Sequence, residues 1–145
     1  VQLNHLFTFA DAEKIVPYLK ELGISELYAS PFFKAVPGSL HGYDVSDHHE
    51  INPELGGRTG LDSLSQSLRR NSMGLLSDFV PNHMGIVGPY NWRWLDVLEN
   101  GADSKFAHYF DIEWKPRLES LNRKVMVPTL GDHCGRILEA GQLQL

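Results

Sequence analysis

Cysteine is almost absent from this sequence. Cys134 stands alone, which excludes an internal disulfide and a cysteine-based zinc cluster. Flanked by His133, Gly135 and Arg136, it carries no nucleophile motif and reads as an incidental thiol. No apolar run approaches the roughly 18 to 20 residues that a bilayer-spanning helix needs. No basic segment leads into an apolar one at the start, so no signal peptide is visible. Glycine is missing from Leu3 to Asp11, the turn after the first expected strand, and the glycine-rich phosphate loop of a nucleotide-binding fold fails there. Basic residues are outnumbered, 13 against 18 acidic ones. The resulting formal charge of -5 argues mildly against nucleic acid or an anionic membrane as partner.

What remains is an ordinary globular composition, 42% hydrophobic and 21% charged, in 145 residues, enough to bury a core. The chain opens at Val1 and closes within the alternating run Gln142-Leu143-Gln144-Leu145, so both ends are expected to continue into further chain.

Val1-Gln2-Leu3, with Leu6 and Phe7 beyond, reads as a truncated first strand. Thr8 and Asp11 have the spacing of a capping box, and Ala12, Ile15, Val16, Leu19 and Leu22 follow at helical period. Gly23 supplies the stop, and Pro17 should kink the helix. Ile24 to Ala29 reads as a second buried strand closed by Ser30-Pro31. A long loop from Phe32 to about Arg58 follows, punctuated by Pro37, Gly38, Gly42, Pro53, Gly56 and Gly57. Thr59 and Asp62 predict a second capping box, with Leu61, Leu64 and Leu68 as its helix's core stripe and Arg69 and Arg70 in the last turn. Gly74 to Val80 is the third strand. Strand, helix, strand, helix, strand implies a parallel sheet. Beyond it, Trp92, Trp94, Leu95 and Leu98 predict a short amphipathic helix ending near Gly101, and Ser104 to Phe110 a second. Val125-Met126-Val127-Pro128 and Arg136-Ile137-Leu138-Glu139 read as brief strands around a Gly131-Asp132 turn.

The chemistry concentrates in two places, both after expected strands. Asp78-Phe79-Val80-Pro81-Asn82-His83 ends the third strand, and His41, Tyr43, Asp44, Asp47, His48 and His49 lie in the long loop. A metal hydrolase could use this supply of carboxylates and imidazoles, but no spacing among them fixes a coordination geometry. A carbohydrate site on the C-terminal face of a partial barrel fits better. Aromatic faces such as Tyr43 meet sugar C–H surfaces, while Asp, Asn and His meet hydroxyls. Trp92 and Trp94 extend the aromatic supply, although tryptophans at this spacing are more often core.

Asp78-Phe79-Val80-Pro81-Asn82-His83 resembles the D-x-V-x-N-H signature of α-amylase-type glycoside hydrolases, and His41-Gly42-Tyr43-Asp44 is similar to their G-Y-D stretch. Phe7-Thr8-Phe9-Ala10, Leu27-Tyr28-Ala29-Ser30-Pro31, Asn52-Pro53-Glu54-Leu55-Gly56-Gly57, Trp94 to Gly101 and Leu130-Gly131-Asp132-His133 narrow the likeness to the malto-oligosyltrehalose synthase branch of that family. The resemblance implies the N-terminal portion of a (β/α)₈ TIM barrel, an α/β fold. Residues 1–84 would hold its first three parallel strands, and 85–145 the start of a domain B inserted after the third.

It also implies an isomerase of carbohydrate metabolism, acting in trehalose biosynthesis. Such an enzyme converts the reducing-end α-1,4 bond of a maltooligosaccharide into an α,α-1,1 bond, by retaining double displacement. Tyr43 would stack on the sugar, His83 would bind its hydroxyls, and His41 and Asp44 would contribute lesser contacts. Asp78 would orient an arginine of the fourth strand and Asn82 would brace the loop. No metal and no cofactor is expected, and calcium is not carried over to Asn82. The family's nucleophile and acid/base follow the fourth and fifth strands, so these 145 residues are expected to be inactive alone. A maltooligosaccharide substrate, no nucleic-acid or membrane partner, a functional link to a trehalose-releasing hydrolase and a cytoplasmic location complete the expectation. His133-Cys134-Gly135 departs from the family pattern, which has an aromatic before the glycine.

Overall fold

The computed structural model describes residues 1–127 and 130–143. In chain order the helices and strands are α1 (Phe9–Glu21), β1 (Glu26–Ala29), β2 (Phe33–Ala35), β3 (Val45–Ile51), α2 (Gly57–Arg70), β4 (Gly74–Ser77), α3 (Trp92–Asn100) and α4 (Cys134–Glu139).

Helix α1 starts where its sequence predicts. Asp11 Oδ2 accepts from Thr8 N at 3.0 Å and from Thr8 Oγ1 at 2.8 Å, closing the first turn. The helix runs through Pro17 and ends with Gly23 N donating to Lys20 O and Ile24 N to Leu19 O, each at 3.0 Å. Phe9, Ala12 and Val16 are buried. Leu22, expected in that stripe, is exposed because it follows the last helical residue.

Strands β1 and β4 pair in parallel, with Leu27 opposite Leu75 and Tyr28 opposite Leu76. On the other edge of β1, Val1 N donates to Tyr28 O at 2.6 Å and Ser30 N donates to Val1 O at 3.0 Å. Those are the two bonds of a parallel bridge. The expected first strand is thus reduced to a single residue in parallel register, and the order Val1, β1, β4 follows the chain. Burial corrects the reading of β1 as a strand buried on both faces: Leu27 and Ala29 are inside, while Tyr28 is 56% exposed. One face of the sheet receives α1 and α2, and the face bearing Tyr28 and Leu76 stays open.

The stretch from Phe32 to Arg58 is no featureless loop. β2 and β3 form an antiparallel hairpin whose register shifts on either side of Lys34. A 3-10 turn, Pro53–Leu55, follows, its Glu54 N held by Asn52 Oδ1 at 3.0 Å. Helix α2 begins before Thr59: Gly56 caps it in the left-handed region, φ 105°. Asp62 therefore serves Arg58 Nε at 3.0 Å instead of a capping box. Leu64 and Leu68 are buried as expected, Leu61 only in part. With Phe9, Ala12, Val16, Leu27, Ala29 and Phe32 they make the core; fully burying one such large side chain is worth about 1.5–3 kcal/mol. Phe9 and Phe32 meet edge to face at 5.8 Å.

Helix α3 fills the predicted Trp92-to-Leu98 segment, and the helix expected over Ser104 to Phe110 is a 3-10 turn, Ala107–Tyr109. Val125–Val127 form no strand, and Pro128 lies outside the described residues, as do Gln144 and Leu145. The strand expected at Arg136 to Glu139 is helix α4, in which Ile137 alone is buried. The chain divides into two compact units, Val1–Asp96 and Val97–Leu145. Among the described residues no helix is long and apolar enough to cross a membrane.

Candidate functional site

The C-terminal ends of β1 and β4 carry the site. Asp78 follows β4 and still belongs to its ladder, donating its N–H to Ala29 O at 2.8 Å. Tyr43 reaches it from the β2–β3 loop, its Oη donating to Asp78 Oδ2 at 2.5 Å. The approach depends on Gly42. Its φ is 77°, and a Cβ there would lie 2.3 Å from Pro31 O, so the loop can touch the end of β1 only through glycine.

The Asp78 carboxylate, by hydrogen bond and charge, raises both the Tyr43 and the Tyr28 phenols above the ordinary tyrosine value, with desolvation adding to each. Both phenols are therefore firmly protonated at neutral pH, with Asp78 as their acceptor.

His41 and Asp44 shape the loop around Tyr43. His41 Nδ1 accepts from Tyr43 N at 3.1 Å, and its ring stacks on the Tyr43 ring at 5.9 Å. Asp44 Oδ1 accepts from Ser39 Oγ at 2.5 Å, and Ser39 Oγ in turn accepts from Gly42 N at 3.1 Å. His83 closes the arrangement, with Nε2 3.1 Å from Tyr43 O and Nδ1 2.9 Å from Asn82 Oδ1. A carbonyl can only accept, so Nε2 carries the proton. Tyr43, His41, Asp44, Asp78, Asn82 and His83 are thus brought together.

A second contact locks the two loops. Gly85 N donates to Val45 O at 2.8 Å, and a Cβ on Gly85 would stand 2.7 Å from Asp44 O. Asn91, 1% exposed, donates from Nδ2 to Gly85 O at 3.0 Å and accepts from Trp94 N through Oδ1 at 3.2 Å, so one buried amide caps α3 and holds the loop after β4.

Asp47, His48 and His49 do not join Tyr43. Asp47 Oδ1 pairs with Arg93 Nη1 at 3.1 Å and accepts from His49 N at 3.0 Å. Burial opposes its ionisation, but the His49 N–H and the Arg93 charge outweigh it and hold Asp47 below the usual carboxylate range. Arg93 is 7% exposed, donates from Nη2 to His49 Nδ1 at 3.0 Å, and lies 4.3 Å from the Trp92 ring centre. His48 packs against the Phe33 and Phe79 rings, and its Nε2 is buried with no hydrogen-bond partner among the described residues. Among those residues no group of three His, Cys, Asp or Glu side chains converges as metal ligands.

Sequence reasoning missed Tyr28, Asn91 and Arg93. The alternation of Leu27, Tyr28 and Ala29 signals Tyr28's exposed face, and Asn directly before the Trp92 helix is an N-cap signal for Asn91. Nothing in the sequence marks Arg93.

Tyr43, Asp78 and His83 thus stand at the C-terminal edge of a parallel sheet, the edge on which α/β barrels carry their sites. The α-amylase catalytic-domain family matches residues 12–133, and the chain belongs to that family. Its parallel strands and helices are accordingly a portion of a TIM barrel. More particularly, it is similar to maltooligosyltrehalose synthases. A Mycobacterium tuberculosis protein bearing the provisional name maltooligosyl trehalose synthase is 45% identical over 148 residues, covering 96% of this chain and 19% of that protein. The maltooligosyltrehalose synthase structure from Arthrobacter ramosus superposes with a TM-score of 0.77 at 46% identity, over 79% of this chain and 15% of that one. Another maltooligosyl trehalose synthase crystal structure gives 0.84 at 41% identity, over 99% and 19%. A maltogenic α-amylase of Bacillus acidopullulyticus is 39% identical over 101 residues, 70% of this chain and 16% of that one. The chain spans about a fifth of the length of the synthases it matches.

Proposed function

We propose that this chain is the N-terminal part of an enzyme that turns the reducing-end α-1,4 linkage of a maltooligosaccharide into an α,α-1,1 linkage. The terminal glucosyl unit is transferred within the molecule by a retaining double displacement. The observation that carries the reading is the Tyr43–Asp78 hydrogen bond, which fixes an aromatic ring and a carboxylate at the C-terminal ends of neighbouring parallel strands. The likeness to the synthases supports the substrate and the reaction.

In this account the Tyr43 ring faces the sugar of the reacting subsite, and His41 backs that ring. His83 meets the sugar hydroxyls, and Asn82 braces the loop. Asp78 holds the Tyr43 hydroxyl on one side and orients a cationic group from the next strand on the other. Asp44 fixes the turn. The attacking nucleophile and the acid/base belong to strands beyond these, so the 145 residues alone have no turnover. The stretch from residue 85 onward begins an inserted domain B, with the barrel portion in 1–84. A pocket poor in water favours attack by the rotated glucose over hydrolysis. The enzyme works in the cytoplasm without a cofactor, and its product passes to a trehalose-releasing hydrolase.

The test is product analysis of the complete protein with maltopentaose. A non-reducing, trehalose-ended pentasaccharide is expected. Free glucose or maltose alone would make the protein a hydrolase of the same family.

A further inference from the structure

The second unit holds a cavity of about 550 Å³ lined by Trp114, Asp103, Lys115, Glu119, Asn122 and Arg123. We infer that it is an additional glucan-binding site, taking a glucosyl stretch of an α-1,4-linked chain. The inference rests on the proposal that the substrate is a maltooligosaccharide, and adds to it a site built wholly from residues 102–123.

Charge, composition and backbone strain all support it. Two carboxylates, Asp103 and Glu119, balance two cations, Lys115 and Arg123, so the lining is formally neutral. A phosphate or other anion would face the two carboxylates as well as the cations, whereas a neutral polyol can use all four groups and the Asn122 amide as donors or acceptors. Trp114 supplies the apolar face that a sugar's C–H surface needs. The volume lies within the roughly 300–1,000 Å³ of small-ligand pockets.

Arg123 is held at φ 58°. A non-glycine residue there costs on the order of 1–3 kcal/mol, and such strain collects at ligand clamps. Here it has a local result. The Arg123 N–H donates to Trp114 O at 3.2 Å, so the strained residue fixes the backbone of one wall of the cavity, while its exposed Nη2 reaches the exposed Asp103 Oδ2 at 3.3 Å. Among the described residues the other positive-φ residue outside glycine, Ser72, follows α2 and is accounted for by the helix end, where Met73 N donates to Leu68 O.

The test uses the complete protein that carries this chain and maltoheptaitol, whose reduced end cannot be rearranged. Calorimetry should show Trp114→Ala weakening binding about tenfold and Trp114→Phe by less than about threefold, as expected when an aromatic face is removed or kept. Asn122→Ala should fall between them. Circular dichroism melts on each variant check folding, and Trp114→Phe and Asn122→Ala decide the matter if Trp114→Ala does not fold. Unchanged affinity in Trp114→Ala and Asn122→Ala, or no binding by the parent, overturns the site. Conversion of maltopentaose is scored separately on the same samples. Trp114-dependent binding without trehalose-ended product removes the proposed reaction and leaves this site. Product with Trp114-independent binding does the reverse.

Discussion

Tyr43 and Asp78 lie 35 residues apart and meet through a 2.5 Å hydrogen bond between phenol and carboxylate. The contact joins the loop after one parallel strand to the end of the next, and the rest of the site is arranged about it. Removing the hydroxyl alone tests its role. In the complete protein, Tyr43→Phe keeps the ring against His41 and should lower kcat/KM for maltopentaose by about tenfold, while Tyr43→Ala should lower it at least about a hundredfold. A Tyr43→Phe variant as active as the parent would show that the ring matters and the bond does not, and equal losses for the two variants would show that the ring adds nothing to the bond.

Gly85 has no room for a methyl group, since the atom in the way is the Asp44 backbone oxygen. Gly85→Ala should therefore destabilise the fold by roughly 1–3 kcal/mol and raise KM as the His83 loop moves from Tyr43. A thermal melt with steady-state kinetics on the same sample checks both. An unchanged melting temperature would mean that the loop yields without resistance.

The Asp47–Arg93 pair is largely buried, with side chains 18% and 8% exposed. Asp47→Asn or Arg93→Met leaves one buried charge unmatched and should cost roughly 2–4 kcal/mol, most of it recovered in the double variant. The pH dependence follows from the depressed Asp47 value. Its contribution is complete above the unfolded-state value of about 4 and is lost as pH falls through the lower folded-state value. Asp47→Asn should thus flatten the fall in melting temperature below about pH 4. A parallel acid melt for parent and variant would contradict this.

How far the sequence leads can be judged residue by residue. The parallel strands, α1 with its Thr8–Asp11 cap and the grouping of Tyr43, Asp78 and His83 were all legible, because each depends on local pattern and on strand order. The β2–β3 hairpin was not. Pro37, Gly38 and Gly42 read as one long loop, and the register shifts at Lys34 spoil the two-residue alternation that marks a strand. Thr59 looked like a cap because the freedom of Gly56 to take φ 105° is invisible until the 3-10 turn before it is seen. The four residues from Arg136 to Glu139 are too short for period to separate strand from helix. Arg93 was hidden because its partners lie more than forty residues earlier in the chain.

His48 offers a prediction in the stabilising direction. Its Nε2 is buried between the Phe33 and Phe79 rings without a hydrogen-bond partner among the described residues. Replacing an unsatisfied polar ring with an apolar one of similar shape removes a desolvation penalty, so His48→Phe should stabilise the protein by about 1 kcal/mol. Differential scanning calorimetry reads the shift, and a lowered melting temperature would show that the nitrogen has a partner.

The central claim is that the protein rearranges a glucan end rather than cleaving it, and the identity of the product tests that most directly. Maltopentaose should be consumed by the complete protein with loss of reducing sugar and no change in degree of polymerisation, the product showing an α,α-1,1 linkage by NMR. A rise in reducing sugar accompanied only by shorter oligosaccharides would contradict the account.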